Sequence, residues 1–260
     1  MSTDAWPAGV GLIALDVVDS TNAEAARRAP GLDRPTWIVA RRQTAARGRR
    51  GRAWATAPGN LSATLVMRPE GGAAAAALRT FVAGLALFDA VVAVTGRAGG
   101  LALKWPNDVL LNGGKLAGIL LESSGSGPGE AHLAVGFGVN LAAAPAPAEV
   151  EARALRPVSL AGETGLCVTP DDIMPPLAAA FAHWEGRLAA EGFAPLRDAF
   201  LDRAAHLGST ITARTGTATL QGRYETIDGT GALVLQTAAG RRIVPAADIF
   251  LDGGHDASGD

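Results

Sequence analysis

The chain has 260 residues, of which 48% are hydrophobic and 18% charged, and its formal net charge is -2. These values describe a soluble globular protein, and its most apolar runs (81–94 and 116–121) are too short or interrupted to span a bilayer. The single cysteine excludes an internal disulfide and a cysteine-rich zinc site, and no signal-peptide pattern is present, so we expect a cytoplasmic protein.

The first predicted elements are a strand over residues 11–18 and a helix directly after it. The strand is mostly apolar and ends at Asp19-Ser20-Thr21-Asn22. Thr21 and Glu24 have the spacing of a capping box, and good helix formers continue to Ala29. Helix capping alone could account for the polar residues 20–22, although it does not exclude ligand binding. A second strand is predicted over residues 36–40.

An arginine-rich loop over residues 43–54, here called the arginine loop, follows the second strand. Between Asp33 and Glu70 the sequence contains eight of the 21 arginines and no acidic residue. Glycines among these arginines allow close backbone approach to a ligand, so the loop is predicted to bind anions. Without an acidic partner nearby in sequence, its arginines should repel one another and leave the empty loop mobile. Taken alone, the loop equally fits a nucleic-acid-binding Arg-Gly segment.

A third strand (61–67) and a long core helix from residue 71 to about residue 96 are predicted next. Residues 101–122 then read as strand, tight turn, strand, hairpin and strand, with Asn112-Gly113-Gly114 as the hairpin turn. This segment contains both lysines of the chain, Lys104 and Lys115. In so arginine-rich a chain, a retained lysine indicates a site that requires a compact ammonium group.

The rest of the chain is predicted to change from helical to all-β structure. A glycine-rich strand over 135–140 is followed by a linking loop (142–149) and helices over 170–191 and 195–205. Cys167, which lies between the linking loop and the first of these helices, is interpreted as a packed structural thiol. Short strands between glycine-containing turns over residues 208–250 predict a small β-barrel.

Five segments of this sequence together resemble the biotin protein ligases. They are Asp19-Ser20-Thr21-Asn22, the loop Gln43 to Trp54, Lys104-Trp105-Pro106-Asn107-Asp108, residues 113–120, and residues 136–140. The resemblance runs from about residue 10 to Leu141, and more weakly to the C-terminus. It implies an α+β fold: a mixed sheet packed with helices, of the class II synthetase-like biotin/lipoate ligase type (1–205), then a small SH3-like β-barrel (206–252). The sequence of residues 253–260 predicts a disordered tail.

This sequence departs from the family pattern at two places, and each departure leads to a prediction. Ala46 stands where the family usually has glycine, so backbone contacts of the loop there should differ. Members that also act as repressors carry an N-terminal helix-turn-helix domain, and this chain has fewer than 20 residues before Asp19. We therefore expect no sequence-specific DNA binding. The short and interrupted apolar runs separately predict no membrane association.

The implied activity is ATP-dependent biotinylation. Biotin would be activated as biotinyl-5'-AMP with release of pyrophosphate, then transferred to a lysine of a biotin carboxyl carrier protein or domain. Biotin's carboxylate must attack the α-phosphate of ATP, and bringing two anions together needs fixed cations. Mg²⁺ would be held through the ATP phosphates, without a dedicated protein cage. Whether the protein is a monomer or a homodimer stays open.

The resemblance also implies roles for individual residues. Lys115 and Arg49 would be catalytic. The biotin-binding residues would be Ser20, Thr21, Asn22, Gln43, Arg47, Gly48, Arg49, Lys115 and Gly118. The ATP-binding residues would be Arg47, Arg50, Arg52, Trp54, Lys104, Asn107, Asp108 and Asn140.

Three other functions are alternatives to this one. A lipoate ligase shares the fold and a similarly placed lysine. An octanoyl transferase needs a cysteine nucleophile near that lysine, whereas Cys167 is distant in sequence. An RNA-binding module would use the arginine loop and the barrel, and would bind in a strongly salt-dependent manner.

Overall fold

The computed structural model describes residues 6–125, 132–146 and 155–251, which form two sheets and six α-helices. The predicted tail and part of the predicted linking loop lie outside these residues. The strands are β1 (Gly11–Val18), β2 (Thr36–Gln43), β3 (Leu61–Met67), β4 (Leu101–Lys104), β5 (Asp108–Leu111), β6 (Gly114–Ser124), β7 (His132–Val139), β8 (Thr210–Arg214), β9 (Thr219–Ile227), β10 (Leu233–Thr237), β11 (Gly240–Val244) and β12 (Asp248–Leu251). The helices are α1 (Thr21–Arg28), α2 (Gly72–Ala77), α3 (Arg79–Thr95), α4 (Leu160–Thr164), α5 (Pro170–Glu191) and α6 (Ala194–Leu201).

The larger sheet has seven strands in the order β1-β2-β3-β7-β6-β5-β4. Strands β1 and β2 are parallel, and every other neighbouring pair is antiparallel. The predicted mixed sheet is therefore confirmed. Because β1 and β2 run in the same direction, the segments that follow them emerge at the same edge of the sheet.

The two faces of this sheet are buried by different helices. On one face Trp37 contacts Phe137 and Phe181, and helices α3 and α5 complete the main core. On the other face α1 covers a smaller cluster that includes Ile38 and Val66. Trp37 and Ile38 point to opposite faces because side chains alternate along a strand.

The predicted long helix is two helices, α2 and α3, which meet at Leu78. The expectation that no segment could span a membrane needs correction, because the stretch Gly72–Thr95 is long and apolar enough by length and composition. Most of this stretch is buried, and α3 packs against α5 and the sheet. Its apolar composition is thus explained by the protein core.

Two local predictions were wrong. Helix α1 is capped by Ser20, whose side chain accepts from the Ala23 backbone amide at 3.5 Å, and Thr21 is already helical. Thr21 instead contacts Gln43, so a tertiary contact replaces the predicted capping box. Cys167 is exposed rather than packed.

The smaller sheet is antiparallel, with five strands in the order β11-β10-β9-β8-β12. It lies beside β4, where Leu103 exchanges backbone hydrogen bonds with the Arg203–Ala205 segment that leads into β8. The Trp105 indole Nε1 also donates to the carbonyl of Gly231 at 3.0 Å. These contacts fix one end of the smaller sheet against the larger one.

We predict that Gly231→Ala lowers the free energy of unfolding by about 2 kcal/mol, because a side chain here overpacks this contact. Gly231 has a φ of +86°, and an added Cβ would lie 2.7 Å from Cε2 of Phe81. Urea unfolding would measure the loss.

Gly229→Ala is the matched control, because nothing lies within 4 Å of its added Cβ. It should change stability by no more than about 0.5 kcal/mol. Equal stability of the two variants would contradict the close packing at Gly231.

Candidate active site

A cavity of about 940 Å³ opens at the edge of the large sheet where β1 and β2 end. The β4–β5 turn, the start of β6 and the start of β12 form its other walls. Its volume is typical of sites for small organic ligands. All of the predicted site residues except Arg50 lie on its wall: Ser20, Thr21, Asn22, Gln43, Arg47, Gly48, Arg49, Arg52, Trp54, Lys104, Asn107, Asp108, Lys115, Gly118 and Asn140.

A buried polar cluster occupies the end of the cavity next to β1 and β2. Both the backbone amide and the hydroxyl of Thr21 donate to Oε1 of Gln43, at 2.7 and 3.1 Å. Thr64 Oγ1 lies 2.7 Å from Oδ1 of Asn22 and 2.8 Å from Oγ1 of Thr21. These bonds hold the side chains in one arrangement, so the cluster can offer polar groups to a neutral ligand without reorganising.

Glu122, a residue that the sequence did not single out, fixes the other end of this cluster. The Asn22 Nδ2 amide donates to Oε2 of Glu122 at 2.8 Å and to the carbonyl of Leu120 at 3.3 Å. With Oδ1 of Asn22 beside a hydroxyl and Nδ2 beside a carboxylate, the orientation of the amide is determined. Arg47 pairs with the same carboxylate at 3.2 Å, so Glu122 connects the cluster with the arginine loop.

The arginine loop is a hairpin in this structure. Its base is closed by hydrogen bonds from Trp54 N to Ala46 O (3.0 Å) and from Gly48 N to Arg52 O (2.7 Å). At the tip, Arg50 and Gly51 have φ values of 58° and 73°. Ala46 is not among the positive-φ residues, so alanine fits here in place of glycine.

The arginines of the loop have acidic partners in space, although none lies nearby in sequence. Asp248 at the start of β12 pairs with Arg50 at 2.7 Å and with Arg52 at 2.9 Å. Arg49 Nη1 lies 3.9 Å from the same carboxylate and 3.3 Å from Oδ1 of Asn107. The partners are close in space although almost 200 residues separate them in sequence.

Asp108 lies between the two lysines of the chain. Its Oδ1 is 2.7 Å from Lys115 Nζ, and its Oδ2 is 3.7 Å from Lys104 Nζ. Burial alone would raise the pKa of Asp108, but Lys115 and Lys104 together lower it below its ordinary value. Burial lowers the pKa of Lys104, and Asp108 opposes that shift. The carboxylate is therefore ionised at neutral pH and orients the Lys115 ammonium within the cavity.

Glycines on β6 and β7 form a flat floor beneath Trp54. A Cβ on Gly118 or Gly138 would lie 3.2 or 2.5 Å from the indole. Lys115 Nζ is 5.4 Å from the centroid of the same ring, close enough for a cation–π contact. Only the face of Trp54 that points away from this floor is available to a ligand.

Two predicted nucleotide-site residues have structural partners of their own. Asn107 donates through Nδ2 to the carbonyl of Ile119 at 2.6 Å. Asn140 is buried, and its Nδ2 donates to the carbonyl of Val158 at 3.1 Å. Both side chains thus support the cavity wall, and Asn140 has little surface left for a ligand.

Comparison with known proteins identifies relatives of this arrangement. A model of the biotin/lipoate A/B protein ligase family matches residues 14–140, and a model of the biotin protein ligase C terminal domain matches residues 206–252. The biotin–[acetyl-CoA-carboxylase] ligase of Paracoccus denitrificans is 58% identical over 90% of this chain and 98% of that protein. The bifunctional ligase/repressor BirA of Bacillus subtilis is 29% identical over 94% of this chain and 74% of its own length.

A solved structure shows the same fold. The biotin protein ligase from Aquifex aeolicus in complex with biotin and ATP superposes with a TM-score of 0.79 at 24% identity. The match covers 92% of this chain and 97% of that one. The α+β fold with a separate small C-terminal domain is thereby confirmed.

We predict that Asp108→Asn lowers the free energy of unfolding by about 3 kcal/mol, because it removes the shared counter-charge of two lysines from a buried position. The loss should shrink when Lys104 is also replaced by Met. Denaturant unfolding of the two single variants and the double variant measures this coupling.

Asp16→Asn is the control, since Asp16 pairs with Arg41 at 3.5 Å and its side chain is 89% exposed. It should leave stability within about 0.5 kcal/mol of the parent. A similarly small effect of Asp108→Asn would show that the carboxylate does not hold the lysines in place.

Proposed function

Because the chain belongs to the biotin protein ligase family, we propose that it activates biotin with ATP and transfers the biotin to a carrier protein. The first step forms biotinyl-5'-AMP and releases pyrophosphate. In the second, a neutral lysine amine of a biotin carboxyl carrier protein or domain attacks the acyl carbon, AMP leaves and an amide forms. One observation carries the proposal: fixed cations and a buried polar cluster line the same cavity.

The cation end suits a reaction between two anions. Lys115 has three N–H donors, so it can keep its contact with Asp108 while two donors bridge the biotin carboxylate and the α-phosphate. Arg49 is the second catalytic cation that we propose. Such fixed charges stabilise the negative charge that develops on the phosphoryl oxygens.

The neutral end suits the ureido ring of biotin, which donates and accepts hydrogen bonds without carrying charge. We assign Ser20, Thr21, Asn22 and Gln43 to this ring. Arg47 and Gly48 would lie along the rest of biotin. Gly118 is covered by the Trp54 indole and would reach biotin only after that ring has moved. The buried bonds within the cluster support the assignment, because they fix the side chains before a ligand binds.

We assign the nucleotide to the region between the arginine loop and the β4–β5 turn. Arg47, Arg50 and Arg52 would attract the phosphates and the free face of Trp54 would contact adenine. The wall of this region would be supported by four side chains that already contact other protein groups: Lys104, Asn107, Asp108 and Asn140.

We propose that Mg²⁺ enters with the ATP phosphates. Among the described residues no cluster of His, Cys, Asp and Glu could hold a metal ion. The carboxylates of Asp108 and Asp248 are each paired with cationic side chains. This donor set fits an ion carried by the nucleotide, where it screens the triphosphate.

The proposal also covers the location of the enzyme, its acceptor and its domain bounds. The enzyme would act in the cytoplasm, where ATP is available. The acceptor would be the carrier domain of a carboxylase, as the name of the Paracoccus relative suggests. Residues 1–205 would form the catalytic domain and residues 206–252 the C-terminal domain.

Lipoate ligation is the second candidate, since the matching family model includes lipoate ligases. The 58% identity to a biotin ligase over nearly its whole length favours biotin. The discriminating experiment is exchange of labelled pyrophosphate into ATP with biotin or lipoate as the only acid. We expect exchange with biotin alone, and equal or greater exchange with lipoate would overturn the assignment.

We predict that Lys115→Arg folds normally but forms the adenylate about 100-fold more slowly. The planar guanidinium cannot place one point charge between two oxyanions as an ammonium can. Single-turnover formation of biotinyl-5'-AMP would measure the loss, with urea unfolding to verify the fold.

Lys104→Arg is the comparison, because Lys104 contacts the other oxygen of the same Asp108 carboxylate. Its effect on adenylate formation should be milder. If Lys115→Arg formed the adenylate at a near-normal rate, Lys115 would not be the charge-bridging residue.

A further inference from the structure

The tip of the arginine loop is held by a residue of the C-terminal sheet. Asp248 accepts hydrogen bonds from Arg50 Nη1 at 2.7 Å and Arg52 Nη2 at 2.9 Å, both on Oδ2. Arg49 Nη1 lies 3.5 Å from the carbonyl of Ala247 and 3.9 Å from Oδ1 of Asp248. The start of β12 thus contacts the three arginines of the loop tip.

The loop needs such a contact because its own backbone bonds close mainly the base. The bonds between Gly48 and Arg52 and between Trp54 and Ala46 close the base, and the tip has one longer backbone bond, from Arg52 N to Arg49 O at 3.3 Å. Arg50 and Gly51 have left-handed backbone conformations, which a non-glycine residue such as Arg50 keeps only when its surroundings hold it. Three guanidinium groups close together also repel one another.

Asp248 is well placed to hold the loop. Its side chain is 16% exposed, whereas those of Arg50 and Arg52 are 43% and 45% exposed. Its neighbours Ala247 and Ile249 are buried, and β12 pairs with β8. The carboxylate is thus held on a strand with buried neighbours, whereas the arginines that it contacts are more exposed, so Asp248 is the better-anchored partner.

Asp248 is shared by the three arginines of the loop tip. Arg49, Arg50 and Arg52 carry three positive charges, and Asp248 supplies one negative charge. Within this group one carboxylate faces three guanidinium groups, so it reduces their mutual repulsion without neutralising all of them. Asp248 can thus stay in place when an anionic ligand binds.

We propose that Asp248 is a positioning residue, which holds the arginine loop over the cavity so that its guanidinium groups are ready for the nucleotide phosphates. Only the identity of the anion rests on the proposed function. The C-terminal sheet then contributes to ATP binding through a residue that acts by way of Arg50 and Arg52. A competing idea is that Asp248 blocks the phosphate site. It predicts the opposite change in the KM for ATP, because removal of the carboxylate would then tighten ATP binding.

The test compares Asp248→Asn and Asp248→Glu with the parent. For Asp248→Asn we expect trypsin to cut the ligand-free loop between Arg47 and Arg52 roughly tenfold faster, because two charge-assisted hydrogen bonds are lost. In pyrophosphate exchange the KM for ATP should rise roughly tenfold with kcat little changed, since uniform binding is lost. Asp248→Glu should recover part of both effects.

Glu225→Gln is the matched control, because Glu225 also lies in the C-terminal sheet and pairs with an arginine, Arg241, at 3.3 Å. It should change neither loop cleavage nor the KM for ATP. In an Arg50→Gln background, Asp248→Asn should have a smaller effect than in the parent, because part of the pairing is already absent.

Each outcome decides between the ideas. Unchanged loop cleavage, or a lower KM for ATP, in Asp248→Asn would overturn the proposal. Faster cleavage at every site, including the partly exposed Arg197 in α6, would show a general loss of stability and would also overturn it. If the parent showed no biotin-dependent exchange while loop cleavage still accelerated in Asp248→Asn, the proposed function would fail and the positioning role would stand.

Discussion

Repulsion among cations that share one cavity is the constraint on which this structure depends. The cavity needs several positive side chains to attract anions, yet those side chains destabilise one another when it is empty. The protein meets this constraint with three carboxylates. Asp108 between the lysines and Asp248 at the arginine loop line the cavity, and Glu122 pairs with Arg47 of its wall. Each carboxylate fixes the direction of a cation as well as offsetting part of its charge.

Sharing one carboxylate among several cations leaves positive charge for the ligand. An isolated ion pair would neutralise the ammonium of Lys115, but Asp108 also faces Lys104, and Asp248 faces three arginines. Burial strengthens these interactions, since effective dielectric constants inside proteins are far below that of water. The site is thus prepared for anions without reorganisation of its charges, which is what electrostatic catalysis requires.

The sequence was sufficient to predict the fold and the site wherever the contacts that determine them are local. Periodic apolar residues predicted the strands of the larger sheet, and contiguous motifs predicted the arginine loop and Lys115. Local reasoning failed where a distant partner decided the outcome. Thr21 was assigned to a capping box because Glu24 has the right spacing, but its hydroxyl is held by Gln43 on the neighbouring strand. The break at Leu78 and the short helix α4 carry no comparable pattern in the sequence.

The charge balance of the arginine loop could not be predicted for the same reason. From sequence neighbours alone the loop looks uncompensated, because its main acidic partner is almost 200 residues away. That pairing exists only because the smaller sheet packs beside β4, through the bonds of Leu103 and the contact of Trp105 with Gly231. So small a β domain gains much of its stability from burial against a larger neighbour. The same packing brings Asp248 to the loop, so the contacts that fix the C-terminal sheet also set the electrostatics of the cavity.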